Sequence, residues 1–151
     1  MPEDAFERAL EALDRKERTT AELERWLAER GFERPEVDDA IGRLAEAGAL
    51  DDERFARRFA EDKRELRGWG PERIREALEA RGLAPELVAG ALAAEGPDDQ
   101  LDRALELLER RGEPAGDEAG RARALAYLVR RGYDSEVAYA AVRRHGAPSP
   151  T

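Results

Sequence analysis

Three stretches, LAERGFERPEV at 27–37, LEARGLAPELV at 78–88 and LVRRGYDSEVA at 128–138, write one pattern three times. In each, an Arg-Gly-hydrophobic corner closes one helix and opens the next: Arg30-Gly31-Phe32, Arg81-Gly82-Leu83 and Arg131-Gly132-Tyr133. The glycines are 51 and 50 residues apart. Around them the register holds. Leu27, Leu78 and Leu128 come four residues before the glycine, and Ile41, Leu92 and Val142 ten after it. A supersecondary unit repeated at a fixed period predicts modules that share apolar faces with their neighbours, not one round core. The expected fold is all-α, with three tandem three-helix modules forming an elongated, curved array. The expected boundaries are 1–49, 50–96 and 97–146, followed by a disordered tail over 147–151.

Working outward from the corners, helical spacing recurs and the period-2 alternation of a half-buried strand does not. Thr19 and Glu22 form a capping-box signature before the first corner, and Asp4 and Glu7 form another at the start of the chain. Pro35, Pro71, Pro85 and Pro97 suit first helical turns. Asp51 or Asp52 caps a helix that runs to about Arg67, where Gly68-Trp69-Gly70 interrupts it. The periodicity predicts a core of Phe6, Leu10, Leu23, Leu27, Phe32, Val37, Ile41 and Leu44 in the first module. In the second it predicts Phe55, Phe59, Ile74, Leu78, Val88 and Leu92, and in the third Leu101, Leu105, Leu108, Leu125, Leu128, Tyr133 and Val142.

Composition narrows the chemistry. The 151 residues contain no cysteine, which excludes disulfides and thiol catalysis. The single histidine, His145, stands near the last helix end beside Arg143 and Arg144, a place suited to a solvated or dipole-facing group. One His and no Cys make a zinc site improbable, and neither a metal nor any other cofactor is expected. Gly68-Trp69-Gly70-Pro71 follows a helix, not a strand, and no Gly-Lys-Ser/Thr comes after it, so it is a poor phosphate loop. No nucleophile stands with a base, so the chain is not expected to be an enzyme. No apolar run is long enough to span a membrane. A soluble, cytoplasmic monomer is the expectation.

The formal net charge is −9, yet 54–75 carries eight basic residues against four acidic ones. On a helical wheel Phe55, Phe59 and Leu66 share a face that should be buried, and Arg57 and Arg64 oppose it. Lys63 and Arg67 lie to one side beside Ala56 and Ala60. Reversing Lys63, Arg64 and Arg67 should therefore leave the fold intact. Such a stripe is either a solvated helix face or a contact for an acidic surface or for phosphates. Trp69 is either an exposed interface anchor or a side chain packed over a module junction.

The stretch 50–83, LDDERFARRFAEDKRELRGWGPERIREALEARGL, resembles the RecX family, regulators of the RecA recombinase. The resemblance rests on Leu50-Asp51-Asp52, Arg54-Phe55-Ala56, the basic helix and the turn Gly68-Trp69-Gly70-Pro71. It extends over roughly 5–145 through Thr19-Thr20-Ala21-Glu22-Leu23 and the outer corners. It implies three tandem three-helix units that bind in the groove of the RecA filament on DNA and restrain ATP hydrolysis, strand exchange and co-protease action. The partner-binding set it suggests is Arg57, Lys63, Arg64, Arg67, Trp69, Arg73 and Arg75. A direct DNA- or RNA-binding module, with weak nucleic-acid contact, is the alternative. A helical adaptor for an unrelated protein is a third reading.

Overall fold

Among the described residues the helices begin at a capping side chain or a proline, and most end where the chain turns at a glycine. The structure is a computed structural model and describes residues 4–112 and 116–146. The tail expected to be disordered, and 113–115 of the longest loop, lie outside the described residues. Among those described, every regular element is α-helical. The first module holds α1 (Ala5–Arg15), α2 (Thr20–Glu29) and α3 (Arg34–Glu46). The second holds α4 (Asp52–Arg67), α5 (Pro71–Ala80) and α6 (Pro85–Ala93). The third holds α7 (Pro97–Arg111), α8 (Glu118–Arg131) and α9 (Ser135–His145). Asp4 accepts from the Phe6 amide, and the Thr19–Glu22 capping box is closed in both directions. Asp51, not Asp52, caps α4 through the Arg54 amide at 3.0 Å.

By compactness the chain divides into two units. One contains the residues up to Arg58 together with Leu78–Val88; the other contains Phe59–Ala77 and the residues from Ala89 onward. In the first unit α1, α2 and α3 pack on one another around Ala5, Ala9, Ala12, Leu23, Leu27, Val37, Ala40 and Leu44. In the second, α9 packs on α7 and α8 around Ala104, Leu108, Ala124, Leu128, Tyr133, Ala138, Ala141 and Val142. Burying a leucine fully is worth about 1.5–3 kcal/mol. Leu27, Leu78 and Leu128 before the corners are all fully buried.

Two core expectations fail, and for one reason. Leu10 is 37% exposed and Leu66 is 77% exposed. In α1 the buried stripe is Ala5, Ala9 and Ala12, and in α4 it runs through Phe55, Ala56, Ala60 and Arg64. A wheel weighted by hydrophobicity centres on leucine and phenylalanine. Close helix contact selects alanine, whose methyl group lets backbones approach, so the inward face of each helix turns toward its alanines.

The later corners dock on an earlier turn of the same unit. In the first unit the buried Thr19 hydroxyl donates to the Arg81 carbonyl oxygen at 2.7 Å. The Arg81 guanidinium forks onto both Glu22 carboxylate oxygens at 2.9 and 3.0 Å and stacks over Phe55. In the second unit the Gly70 amide donates to the Arg131 carbonyl at 2.8 Å and the Glu72 amide to the Gly132 carbonyl at 2.9 Å. The buried Tyr133 hydroxyl donates to the Gly68 carbonyl at 3.2 Å. This approach requires glycine. A Cβ at Gly70 would fall 2.5 Å from the Gly132 carbonyl carbon, and one at Gly132 would fall 2.5 Å from the Arg73 Cβ.

Candidate partner-binding surface

The end of α4 turns through Gly68, whose φ of +65° and amide bond to the Arg64 carbonyl make a left-handed cap. The Trp69 amide then donates to the Lys63 carbonyl at 3.1 Å, which fixes the indole beside the helix it follows. The Lys63 ammonium lies 4.8 Å from the Trp69 ring centroid, the Arg73 guanidinium 4.3 Å, and Phe59 meets the ring edge-on at 6.3 Å. Trp69 is half-buried. It is a packed turn residue whose part-exposed ring has two cations against it. A cation over a tryptophan face is worth about 0.5–1 kcal/mol at an exposed site. The stacking therefore orders Lys63 and Arg73 at little cost to their charge.

The other expected contact residues separate. Arg57 and Arg67 are exposed on α4. Arg75 is half-buried on α5 and pairs with Glu72 at 3.8 Å. Arg64 does not oppose the buried face but belongs to it, at 6% exposure. Its guanidinium donates to the Ala91 carbonyl at 2.8 Å and pairs with Glu95 at 3.6 Å. Arg103 holds the other Glu95 oxygen at 2.9 Å and donates to the Arg64 carbonyl at 2.7 Å. Arg64 is thus one arm of a buried Arg–Glu–Arg bridge, with its guanidinium committed to Ala91 and Glu95. The sequence reading failed here because Arg64 falls in line with Ala56 and Ala60, which it had treated as a flank.

A second group of cations went unread in the sequence. The doublets Arg110-Arg111 and Arg130-Arg131 end α7 and α8, and both gather around Tyr127. Arg111 lies 4.1 Å and Arg131 5.4 Å from its ring centroid. The available signal was the repetition itself: two basic doublets close successive helices of one module. Among the described residues no group of three or more His, Cys, Asp or Glu is placed to hold a metal ion, and no helix is long and apolar enough to cross a membrane.

Comparison with known proteins gives consistent matches over most of the chain. Residues 5–44 match the family model for RecX, first three-helix domain; 51–92 match the second three-helix domain and 98–142 the third. The regulatory protein RecX of Trichlorobacter lovleyi is 35% identical over 141 residues, covering 90% of this chain and 92% of that protein. The regulatory protein RecX of Stenotrophomonas maltophilia is 37% identical over 133 residues, covering 86% and 80%. The crystal structure of RecX from Lactobacillus salivarius superposes with a TM-score of 0.84 at 16% identity, over 93% of this chain and 94% of that one, a likeness of fold.

Proposed function

The chain belongs to the RecX family, and from that premise we propose that it is a non-catalytic regulator that binds the groove of the RecA filament on DNA. There it restrains ATP hydrolysis, strand exchange and co-protease action in recombination and repair. The observation that carries this reading is the match of all three tandem domains, in order, to relatives named regulatory proteins. The second module supports it with a Lys63–Trp69–Arg73 stack, half-buried at Lys63 and Trp69 and exposed at Arg73, inside a chain of net charge −9, a local contact for an acidic protein surface. Repeated modules suit a partner that is itself a repeating polymer.

The test is ATP hydrolysis by the cognate RecA on single-stranded DNA. Inhibition is expected at fewer than one protein per RecA protomer, because stopping growth at a few points starves a cooperative filament. An unchanged rate at excess protein, with no binding to the filament, would remove the reading. The protein alone should hydrolyse no nucleotide; turnover that survives repurification counts against the proposal.

A further inference from the structure

We propose that the second and third modules together carry a phosphate-binding cleft around Tyr127, which adjoins the Lys63–Trp69 stack through Arg73 and acts independently of RecA. A cleft of about 360 Å³ is bordered by Arg67, Arg110, Arg111 and Arg131, and a neighbouring one of about 450 Å³ by Arg73, Arg111, Arg130 and Arg131. The two share Arg111, Tyr127 and Arg131. Volumes of this size fall in the range of small-ligand sites. Six arginines from α4, α5, α7 and α8 thus surround one tyrosine. Glu65 and Glu106 are the acids lining the first cleft, and no acid lines the second. Arg64 and Arg103 also border the first cleft, but their charges are directed at Glu95.

Several of these guanidiniums are held in place. Arg111 and Arg131 stack on the Tyr127 ring, and Arg131 donates to the Arg67 carbonyl at 2.8 Å. Stacking leaves the guanidinium edge available to an anion, and a planar fork fixed in advance loses less freedom on binding. A lone carboxylate presents two oxygens in a plane and is satisfied by one forked arginine. Guanidiniums converging from four helices exceed that demand. They fit the larger charge and tetrahedral oxygens of phosphate groups, whether on a free diphosphate or along a nucleic-acid backbone.

The experiment is calorimetric titration of the full chain with inorganic pyrophosphate, with a short oligothymidylate and with a short polyglutamate peptide. The parent is compared with an Arg110→Gln, Arg130→Gln variant and with an Arg25→Gln, Arg34→Gln variant of equal charge change. All four arginines are exposed, and melting curves establish that both variants are folded. The cleft variant should bind phosphate ligands about tenfold more weakly or worse while the control binds as the parent does. Binding of both phosphate ligands assigns the site to the phosphate group itself; binding of the oligonucleotide alone assigns it to a polymer backbone. The proposal is overturned if neither binds, if the control loses as much as the cleft variant, or if polyglutamate binds better than either. None of these readings depends on RecA, so this result and that of the hydrolysis assay fail separately.

Discussion

The carbonyl oxygen of Arg131 accepts a 2.8 Å hydrogen bond from the amide of Gly70, 61 residues earlier, so the third corner is seated on the turn that opens α5. The second corner is seated in the same way, with the Thr19 hydroxyl on the Arg81 carbonyl. Among the described residues no comparable bond reaches the first corner, and a Cβ on Gly31 would meet nothing within 4 Å. The repeat therefore uses one motif in two roles: as a plain helix stop at the first corner, and as a stop and a dock at the later two.

That difference predicts unequal costs for one substitution. Gly31 and Gly132 have φ of +89° and +106°, so alanine at either pays the left-handed penalty of about 1–2 kcal/mol. At Gly132 the new Cβ would also meet the Arg73 Cβ at 2.5 Å and break the seat. Gly132→Ala should cost about 3 kcal/mol or more, and Gly31→Ala about 1 kcal/mol. Denaturant midpoints with unchanged slopes decide it; equal losses at the two sites would mean that the corner docking contributes nothing to stability.

Arg64→Glu should unfold the chain or nearly so, because it places a carboxylate against Glu95 and leaves the Ala91 carbonyl without its donor. Breaking a buried pair from one side costs about 3–5 kcal/mol. Arg57→Glu, on the exposed side of the same helix, should shift stability by no more than about 0.5 kcal/mol. Circular dichroism melts of the two variants give the comparison. An Arg64→Glu protein as stable as the parent would show that the Arg–Glu–Arg bridge is dispensable.

How much of this was legible can be read from Leu128 and Arg64. Leu128, four residues before its glycine, announces both its burial and the helix end, because periodicity and turn chemistry act locally. The same holds for Thr19–Glu22 and for the prolines at helix starts. Arg64 and Leu10 were not legible, since a wheel ranks side chains by hydrophobicity whereas close helix contact ranks them by size. The Tyr127 cleft was hidden for another reason. Its arginines come from residues 67 to 131 and meet only in the folded chain, and a doublet at a helix end has an ordinary explanation in the helix dipole. Thr19 on Arg81 is a bond across 62 residues that no local rule anticipates.

Stability should fall on mild acidification at one identifiable site. Burial opposes ionisation of Glu22, but hydrogen bonds from the Arg81 side chain and the Thr19 amide outweigh it and hold the carboxyl below its ordinary value of 4.5. A carboxyl depressed in the folded chain binds fewer protons there than in the unfolded chain. Its contribution is therefore complete above the unfolded value and is lost as pH falls through the folded one. Glu22→Gln should be less stable than the parent at neutral pH, and the gap should close as pH drops below 4.5. Melting temperatures across that window test it; a constant gap would place the effect of Glu22 in its packing and not in its charge.

The sharpest functional prediction concerns Lys63 and Arg73, the two cations over the Trp69 ring. Reversing both to Glu removes two cation–π contacts of about 0.5–1 kcal/mol each, so the variant should remain folded with a modestly lowered melt. Arg64 is left untouched, because its loss would confound contact with folding. If this stack meets an acidic face of the RecA filament, the double reversal should weaken inhibition of ATP hydrolysis. The weakening should be greatest at low ionic strength, where opposed charges are least screened. Trp69→Ala gives a second view of the same contact, since interface tryptophans often cost 2 kcal/mol or more on truncation, roughly thirtyfold in binding. Phe59→Ala serves as a contrast, because it takes away the ring that supports the indole edge and acts through the turn. Measured together, inhibition and melts separate contact from packing: a folded Lys63→Glu, Arg73→Glu protein that inhibits RecA as fully as the parent would make the stack a structural clasp on the Gly68–Gly70 turn and move the contact surface elsewhere.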